Sequence, residues 1–388
     1  NVRRPRENYH MVDDEFQLPV LTARWLTDSA VPARRKREFL LGEDRLALLL
    51  RELALVARLA QPYVDQPVAT AMVGFARLDT ARWRSSSWRD SDAGYANGRF
   101  AMDVNAVWVP RALEATGAIL GALPAIGIER RVLDSLARGA GPGPLRLWMI
   151  DSASLGRAVA AWRGAPRHFA VRLPPDEVRT RLDARLAWLP PAERRYWRAV
   201  VDSAGPVRDT VAFPALALDS AGRPIPVVNS DPATEIFLDT DPASLPMPGG
   251  LEPFLRDYPL GLFVAGLGPL AANDAYAPPR VWERFRRDRY HSPYVVWGRE
   301  VNLLLLGLAQ KIAAGHARGR PADPALRAAL EHTAAAVDGS GMGHNELWSY
   351  RIEGGRLLPI RYGTGSDVQL WNTTDLAVQF ALSRLPPP

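Results

Sequence analysis

Apolar residues recur at helical spacing along most of the chain. Leu46, Leu49, Leu50, Leu53 and Val56 follow Gly42-Glu43-Asp44 as one amphipathic stripe, and the pattern resumes over Val68–Leu78 after the break at Pro62–Pro67. A first helix is expected to end near Trp25. A long one starts at about Asp103 and runs to Leu123, with Pro110 marking a kink or break. Further helices are expected over 126–138, 152–163, 175–189, 191–204, 251–257, 259–272, 279–288, 297–316, 324–338 and 373–384. Strand patterns are confined to two hairpins. Val211–Leu218 and Ile225–Val228 flank Asp219-Ser220-Ala221-Gly222, while Trp348–Ile352 and Leu357–Ile360 flank Glu353-Gly354-Gly355-Arg356. No strand–helix–strand alternation recurs, which argues against a doubly wound sheet. What remains is helices joined by short breaks and by long loops rich in Trp, Tyr, Asp and Asn. Six helical hairpins closed into a toroid would look like this, and so would an irregular helical solenoid.

Composition narrows the function classes. With 388 residues, 47% of them hydrophobic and 23% charged, the chain can bury a sizeable core. Its longest apolar run, Val301–Ala309, is interrupted by Asn302 and falls short of the roughly 18 residues a membrane-spanning helix needs. The net charge of +6 invites a nucleic-acid reading, but Lys36 and Lys311 are the only lysines and the arginines are spread along the whole chain. That bias fits a GC-rich bacterial genome better than a phosphate-binding surface, so no nucleic-acid partner is expected. Arg34-Arg35-Lys36-Arg37 and the run from Arg284 to Arg289 read as solvated helix faces. The absence of cysteine excludes disulfides, thiolate zinc sites and cysteine nucleophiles. Asn1 is no start residue, which leaves room for a removed signal or an upstream domain; a bacterial periplasmic or extracellular setting is favoured over the cytoplasm.

Three loop-to-helix junctions differ from the rest. The first runs from Ser87 to Ala106 and gathers Trp88, Arg89, Asp90, Asp92, Tyr95, Asn97, Asp103 and Asn105. Asp103 precedes an apolar helix, as an N-cap does. Asp90 and Asp92 stand one residue apart between Trp88 and Tyr95, where a sugar ring could stack and polar groups could read its hydroxyls; a solvated turn is the plain alternative. The second junction, Tyr290–Asn302, places Tyr294, Trp297 and Glu300 ahead of or within the first turn of a helix, where Glu300 also complements the helix dipole. The third, Gly339 to Asn372, carries His344, Glu346, Trp348, Asp367, Trp371 and Asn372. Its Gly-x-Gly-x-Gly run lacks the strand and helix of a phosphate loop and reads as a tight path that places Glu346.

His344 and Glu346 lack zincin spacing, Asp13-Asp14-Glu15 lacks the ligand spacing of a calcium loop, and no Gly-x-Ser-x-Gly elbow occurs. No metal and no cofactor are called for. Carboxylates on aromatic, Gly/Asn-rich loops suit glycoside hydrolysis, which needs one protonated acid at the glycosidic oxygen and a second carboxylate to activate water. In an inverting enzyme the two stand about 6.5–9.5 Å apart.

At these junctions the chain resembles the six-hairpin, (α/α)6 glycosidases, within them the trehalase and processing α-glucosidase branch. Ser86-Ser87-Trp88-Arg89-Asp90-Ser91 is similar to that group's Glu-Ser-Gly-Trp-Asp motif, whose Asp is the general acid. Met102-Asp103-Val104-Asn105-Ala106 resembles its Val-Asp-Leu-Asn-Ala segment, and Tyr290–Trp297 its aromatic-Gly-Pro-x-Trp motif. The Gly-rich terminal loop followed by Trp371-Asn372 resembles the loop and Trp-Thr-Asn ending that carry the base. Arg89 separates Trp88 from Asp90 where the family has Trp-Asp adjacent, so Asp92 is the alternative acid; the family's Gly-Gly-Gly-Glu is not reproduced, leaving Glu346 ahead of Glu300 and Asp367 as base.

The resemblance implies an all-α chain, a toroid of six helical hairpins with small β-hairpin insertions, forming one catalytic domain over 1–388 with an insertion near 205–250. It implies an inverting glycosidase acting on a carbohydrate substrate. Trp88, Tyr95, Trp297 and Trp348 would stack on sugar rings, and Arg89, Asn97, Asn105 and Asn372 would bind hydroxyls, with Asp103, Tyr294, Glu300, His344, Asp367 and Trp371 nearby. A glycoside phosphorylase on the same architecture, and a non-catalytic glycan-binding protein, are the alternatives.

Overall fold

The computed structural model describes residues 11–139, 143–239, 241, 244, 247–319, 323–363 and 373–385. Helices hold 56% of it and strands 12%, so the chain is mostly helical and compatible with an all-α class. Its contacts divide it into two units. Unit 1 takes Asn1–Asp90, Arg99–His168 and Leu218–Arg223; unit 2 takes Ser91–Gly98, Phe169–Ala217 and Pro224–Pro388.

Unit 1 is built from α1 (Asp14–Thr27), α2 (Ala33–Leu41), α3 (Arg45–Asp65), α4 (Val109–Ala125), α5 (Arg130–Gly139), α6 (Pro144–Ile150) and α7 (Ser152–Arg163). The stripe read from the sequence of α3 is its buried face, from Leu46 through Leu49, Leu50, Leu53 and Val56 to Ala60. α1 packs on α4, and α3 meets α6 and α7, where Trp162 donates to the Ala60 carbonyl at 3.0 Å. Helix α2 is tied to the end of α1 by Lys36. Its buried Nζ donates to the carbonyls of Leu26 and Asp28 at 2.8 and 2.6 Å.

Two expectations fail in this unit. Val68–Leu78 is not a helix but a short turn at Ala69–Ala71 followed by extended chain. Val73 is bonded through its backbone to Asn105, and Gly74 lies against Phe100, where a Cβ would come within 3.0 Å of the ring. Nor is Asp103 an N-cap. The residue before it, Met102, is already helical, and Asp103 begins a wide π-type turn, Asp103–Trp108, that leads into α4. Pro110 sits just past this turn; a residue with no N–H is tolerated where the bonding pattern changes.

Unit 2 holds α8 (Pro175–Trp188), α9 (Pro191–Ala204), α10 (Pro232–Leu238), α11 (Glu252–Leu255), α12 (Pro279–Arg287), α13 (Gly298–Ala317), α14 (Pro324–Ser340) and α15 (Thr373–Ser383). Prolines open α8 and α9, and Asp176 and Glu177 complement the first turn of α8. Most of α13 is buried, and it packs against α10, α14 and α15. Gly307 allows the contact with α10, because a Cβ there would lie 2.7 Å from the Phe237 nitrogen.

Between these helices run short antiparallel ladders. β1 (Ala170–Leu173) pairs with β2 (Val211–Pro214), and β3 (Val228–Asn229) pairs across the chain with Ala272–Asn273. β4 (Phe263–Val264) pairs with β5 (Gly268–Pro269). The segment 259–272, read as helix from its apolar run, is therefore strand and turn. Gly266 and Gly268 adopt positive φ (69° and 108°), and Gly261 is packed so closely on Pro253 and Arg256 that no side chain fits. β6 (Ala272–Asn273) is followed by β7 (Val295–Trp297), β8 (Leu347–Glu353) and β9 (Arg356–Arg361), the last three forming one sheet in that order. The β8–β9 hairpin matches expectation: Glu353 pairs with Arg356 across Gly354 and Gly355, both left-handed. The turn of the other hairpin also forms, with Asp219 N donating to Arg223 O at 2.9 Å, but Val211–Pro214 pairs with β1 instead of prolonging it.

Candidate functional site

Three sequence-distant segments meet in unit 2, and they contain residues from each of the three junctions. The first is the loop Ser91–Gly98. Ser91 Oγ bonds His291 Nδ1 at 2.9 Å, and the Ala93 N–H donates to Asp288 Oδ2 at 2.8 Å. Two anchors thus bracket the exposed Asp92. The second segment is the aromatic run 290–297. His291 stacks on Trp297 with ring centroids 5.0 Å apart and planes 9° from parallel, and Trp297 Nε1 donates to the Tyr290 carbonyl at 2.8 Å. The third is the start of β8. Trp297 pairs with Leu347, and Gly298 N donates to the Glu346 carbonyl at 2.8 Å. Glycine is required at 298, since a Cβ would lie 2.6 Å from the Asn345 carbonyl oxygen.

The candidate acids of the second and third segments differ in setting. Glu300, 2% exposed, bonds Arg299 through one carboxylate oxygen and accepts Ser230 Oγ at 3.3 Å on the other. Both oxygens are thereby committed to holding the start of α13. Glu346 is 7% exposed and stands at the end of the Met342–Asn345 turn. His344 points outward and bonds Asp375 at 2.6 Å. The glycine run ends α14, with Gly341 in the left-handed conformation that closes a helix C-terminus. A helix C-terminus carries the negative end of the dipole, so this loop is no phosphate cradle.

Several residues expected to touch a sugar have other duties. Trp348 is fully buried; it donates to the Leu267 carbonyl at 3.0 Å and has no face to offer a ring. Tyr95 is also fully buried, while Asn97 is half-buried with φ of 64°. Tyr294 lies under the Arg289 guanidinium at 4.3 Å, and burial pushes its hydroxyl above the ordinary value, against the pull of Arg185. In unit 1, Asn105 closes on backbone: Oδ1 accepts Val73 N, and Nδ2 donates to Val73 O and Ala101 O, all at 2.9–3.0 Å. Asp103 accepts Ser87 Oγ at 2.9 Å. Arg89 is buried with its guanidinium over Trp88 at 4.2 Å, and Asp90 is exposed. Asp367, Trp371 and Asn372 lie outside the described residues.

His291, Asp288 and Ser230 were not singled out from the sequence. The available signal was their setting: His291 sits within the aromatic run, and Ser91, which it binds, stands between the two aspartates. Among the described residues no group of three or more His, Asp or Glu side chains could hold a metal ion. No helix of the described residues is long and apolar enough to cross a membrane. Comparison with protein-family models, with curated proteins and with solved structures returns no match for this chain.

Proposed function

We propose that the chain is a glycoside hydrolase of the six-hairpin, (α/α)6 kind, working by inversion on an oligosaccharide or polysaccharide. The observation that carries this reading is the meeting, within unit 2, of the anchored Asp92 loop, the Trp297 run and the strand headed by Glu346. Asp92 takes the acid role in this geometry and Glu346 the base role. Asp90, two residues earlier in the chain, keeps the candidacy its motif confers. The acid protonates the glycosidic oxygen as the bond to the anomeric carbon breaks, and the base takes a proton from the water that attacks that carbon from the opposite face. Trp297, 6% exposed and stacked on His291, would border the sugar.

The test is a panel of α- and β-linked oligosaccharides, with the first-formed anomer followed by NMR. Release of the inverted anomer is expected, and Glu346→Gln is expected to lower turnover by roughly 10²–10⁴-fold. Asp92→Asn and Asp90→Asn, made separately, tell which carboxyl is the acid. Wild-type rates in all three variants overturn the assignment. Product that forms only with inorganic phosphate present makes the enzyme a phosphorylase; saturable sugar binding with no reducing ends released makes it a glycan-binding protein.

A further inference from the structure

Unit 1 carries an apolar face that is open to solvent. Leu18, Leu21 and Trp25 recur at helical spacing on α1, and Arg45, Leu48 and Glu52 do so on α3. With Phe39 of α2 they line a trough of about 720 Å3. Leu18, Phe39 and Leu48 are all exposed, and Leu21 is 64% exposed. The other large exposed hydrophobics among the described residues lie singly or in pairs. Scattered apolar side chains are ordinary on a surface, whereas a gathered patch marks a place where something binds.

The two ends of the trough carry opposite charge. At one end Trp25 meets Phe39, with ring centroids 5.2 Å apart, and the Arg45 guanidinium lies 4.5 Å from the Phe39 ring. Arg35, exposed one turn before Phe39 on α2, belongs to the same end. Glu52 marks the other end, two turns along α3 from Arg45 and within electrostatic reach of Glu15 in the first turn of α1. Burial, then Glu15, pushes the Glu52 carboxyl above its ordinary value, which a guanidinium placed against it would reverse.

A patch that is basic at one end, apolar in the middle and acidic at the other is complementary to itself. A two-fold axis through its middle sets each basic end against the partner's acidic end. The exposed Leu21 and Leu48 of each copy then enter the partner's trough. Two-fold pairs use the same patch on both copies and are the commonest closed assemblies. A fatty-acid chain would answer Arg35 with its carboxylate but would lay its tail against Glu52.

We propose that this face of α1, α2 and α3 joins two copies of the chain in a two-fold dimer, with Arg35 of each against Glu52 of the other. The face contains no residue of the candidate site, so dimerisation stands apart from the glycosidase reading.

The test is sedimentation velocity on the full chain across a dilution series, where a monomer–dimer equilibrium is expected. Leu21→Glu and Leu48→Glu, at positions already exposed, should each weaken the dimer roughly 30-fold with the circular dichroism unchanged. Arg35→Glu and Glu52→Arg should each weaken it roughly tenfold. The two together should restore it, because the reversed charges meet again across the axis. The chain has no cysteine, so Leu21→Cys under mild oxidation can link only one copy to another. Disulfide-linked dimer is expected there and not for Val132→Cys, exposed on α5. A chain that stays monomeric at every concentration, a dimer indifferent to Leu21→Glu, or a double reversal that fails to restore association would each overturn the proposal. So would a monomer that binds dodecanoate and loses it in Leu21→Glu, which would make the trough an acyl-chain site.

Discussion

Asn105 in unit 1 and Arg185 in unit 2 are both buried polar side chains, yet their hydrogen bonds close differently. Asn105 makes three bonds, all to backbone, and so stitches an extended segment to the start of a helix. Arg185 makes two bonds to one buried carboxylate, Asp274, and also has the Tyr294 hydroxyl as a partner, so its bonds close on side chains. Of the two lysines, Lys36 follows the first pattern and Lys311 mixes the two. Lys36 caps the end of α1, and Lys311 gathers the Asp239 carboxylate, the Ser244 hydroxyl and the carbonyls of Asp241 and Ser244. A polar group whose bonds all close on backbone is explained by the fold. One whose bonds close on another buried charge depends on that partner being kept.

The comparison can be broken in four ways. Arg185→Met leaves the Asp274 charge buried and alone, and is expected to cost about 3–5 kcal/mol in a denaturant titration. Adding Asp274→Leu should recover most of that loss, and failure to do so would mean the pair contributes more than mutual neutralisation. Asn105→Ala is expected to cost about 2–3 kcal/mol, because the Val73 N–H and carbonyl both lose their partner. Lys36→Met should cost about 1–3 kcal/mol, read as a lower melting temperature, since the Leu26 and Asp28 carbonyls lose a charged donor.

The smallest effect concerns Glu193 and depends on pH. Burial raises its pKa above the ordinary 4.5, with Arg289 and Arg185 opposing. The folded state therefore holds the proton more tightly than the unfolded chain does. The stability from the neutral form is fully present below the ordinary value and is lost as pH rises through the raised one. Glu15 and Glu52 are shifted the same way by burial, so the wild-type curve alone does not isolate Glu193. The difference between wild type and Glu193→Gln does. The variant should be the more stable near neutral pH, with the gap closing as pH falls towards 4.5. A gap independent of pH would mean that Glu193 takes up its proton at the same pH in the folded and the unfolded chain.

Helices whose apolar stripes and proline starts lie in their own sequence were legible. Expectations of 152–163 and 191–204 coincide with α7 and α9, and the Gly354-Gly355 turn announced its hairpin. Segments shaped by distant contacts were not. The run 259–272 is apolar and buried except around its turn at Ala265 and Gly266 and at half-buried Leu260, and burial alone does not distinguish helix from strand. Trp348 and Tyr95 look like sugar platforms in a list of aromatics, but whether a ring faces solvent or core depends on residues far away in the chain. The two junctions around Trp297 and Glu346 were visible as composition; the His291–Ser91 bond that brings the Asp92 loop beside them spans 200 residues and leaves no local mark.

Local chemistry was thus enough to establish a mostly helical chain with tight glycine turns, because stripe, cap and turn are read over a few neighbouring residues. Which charges are buried, which asparagine serves the backbone, and which carboxylates share a unit were decided only when remote segments packed. Burial and pairing are properties of neighbours in space, and those neighbours lie tens to hundreds of residues apart: 89 between Arg185 and Asp274, and 32 between Val73 and Asn105.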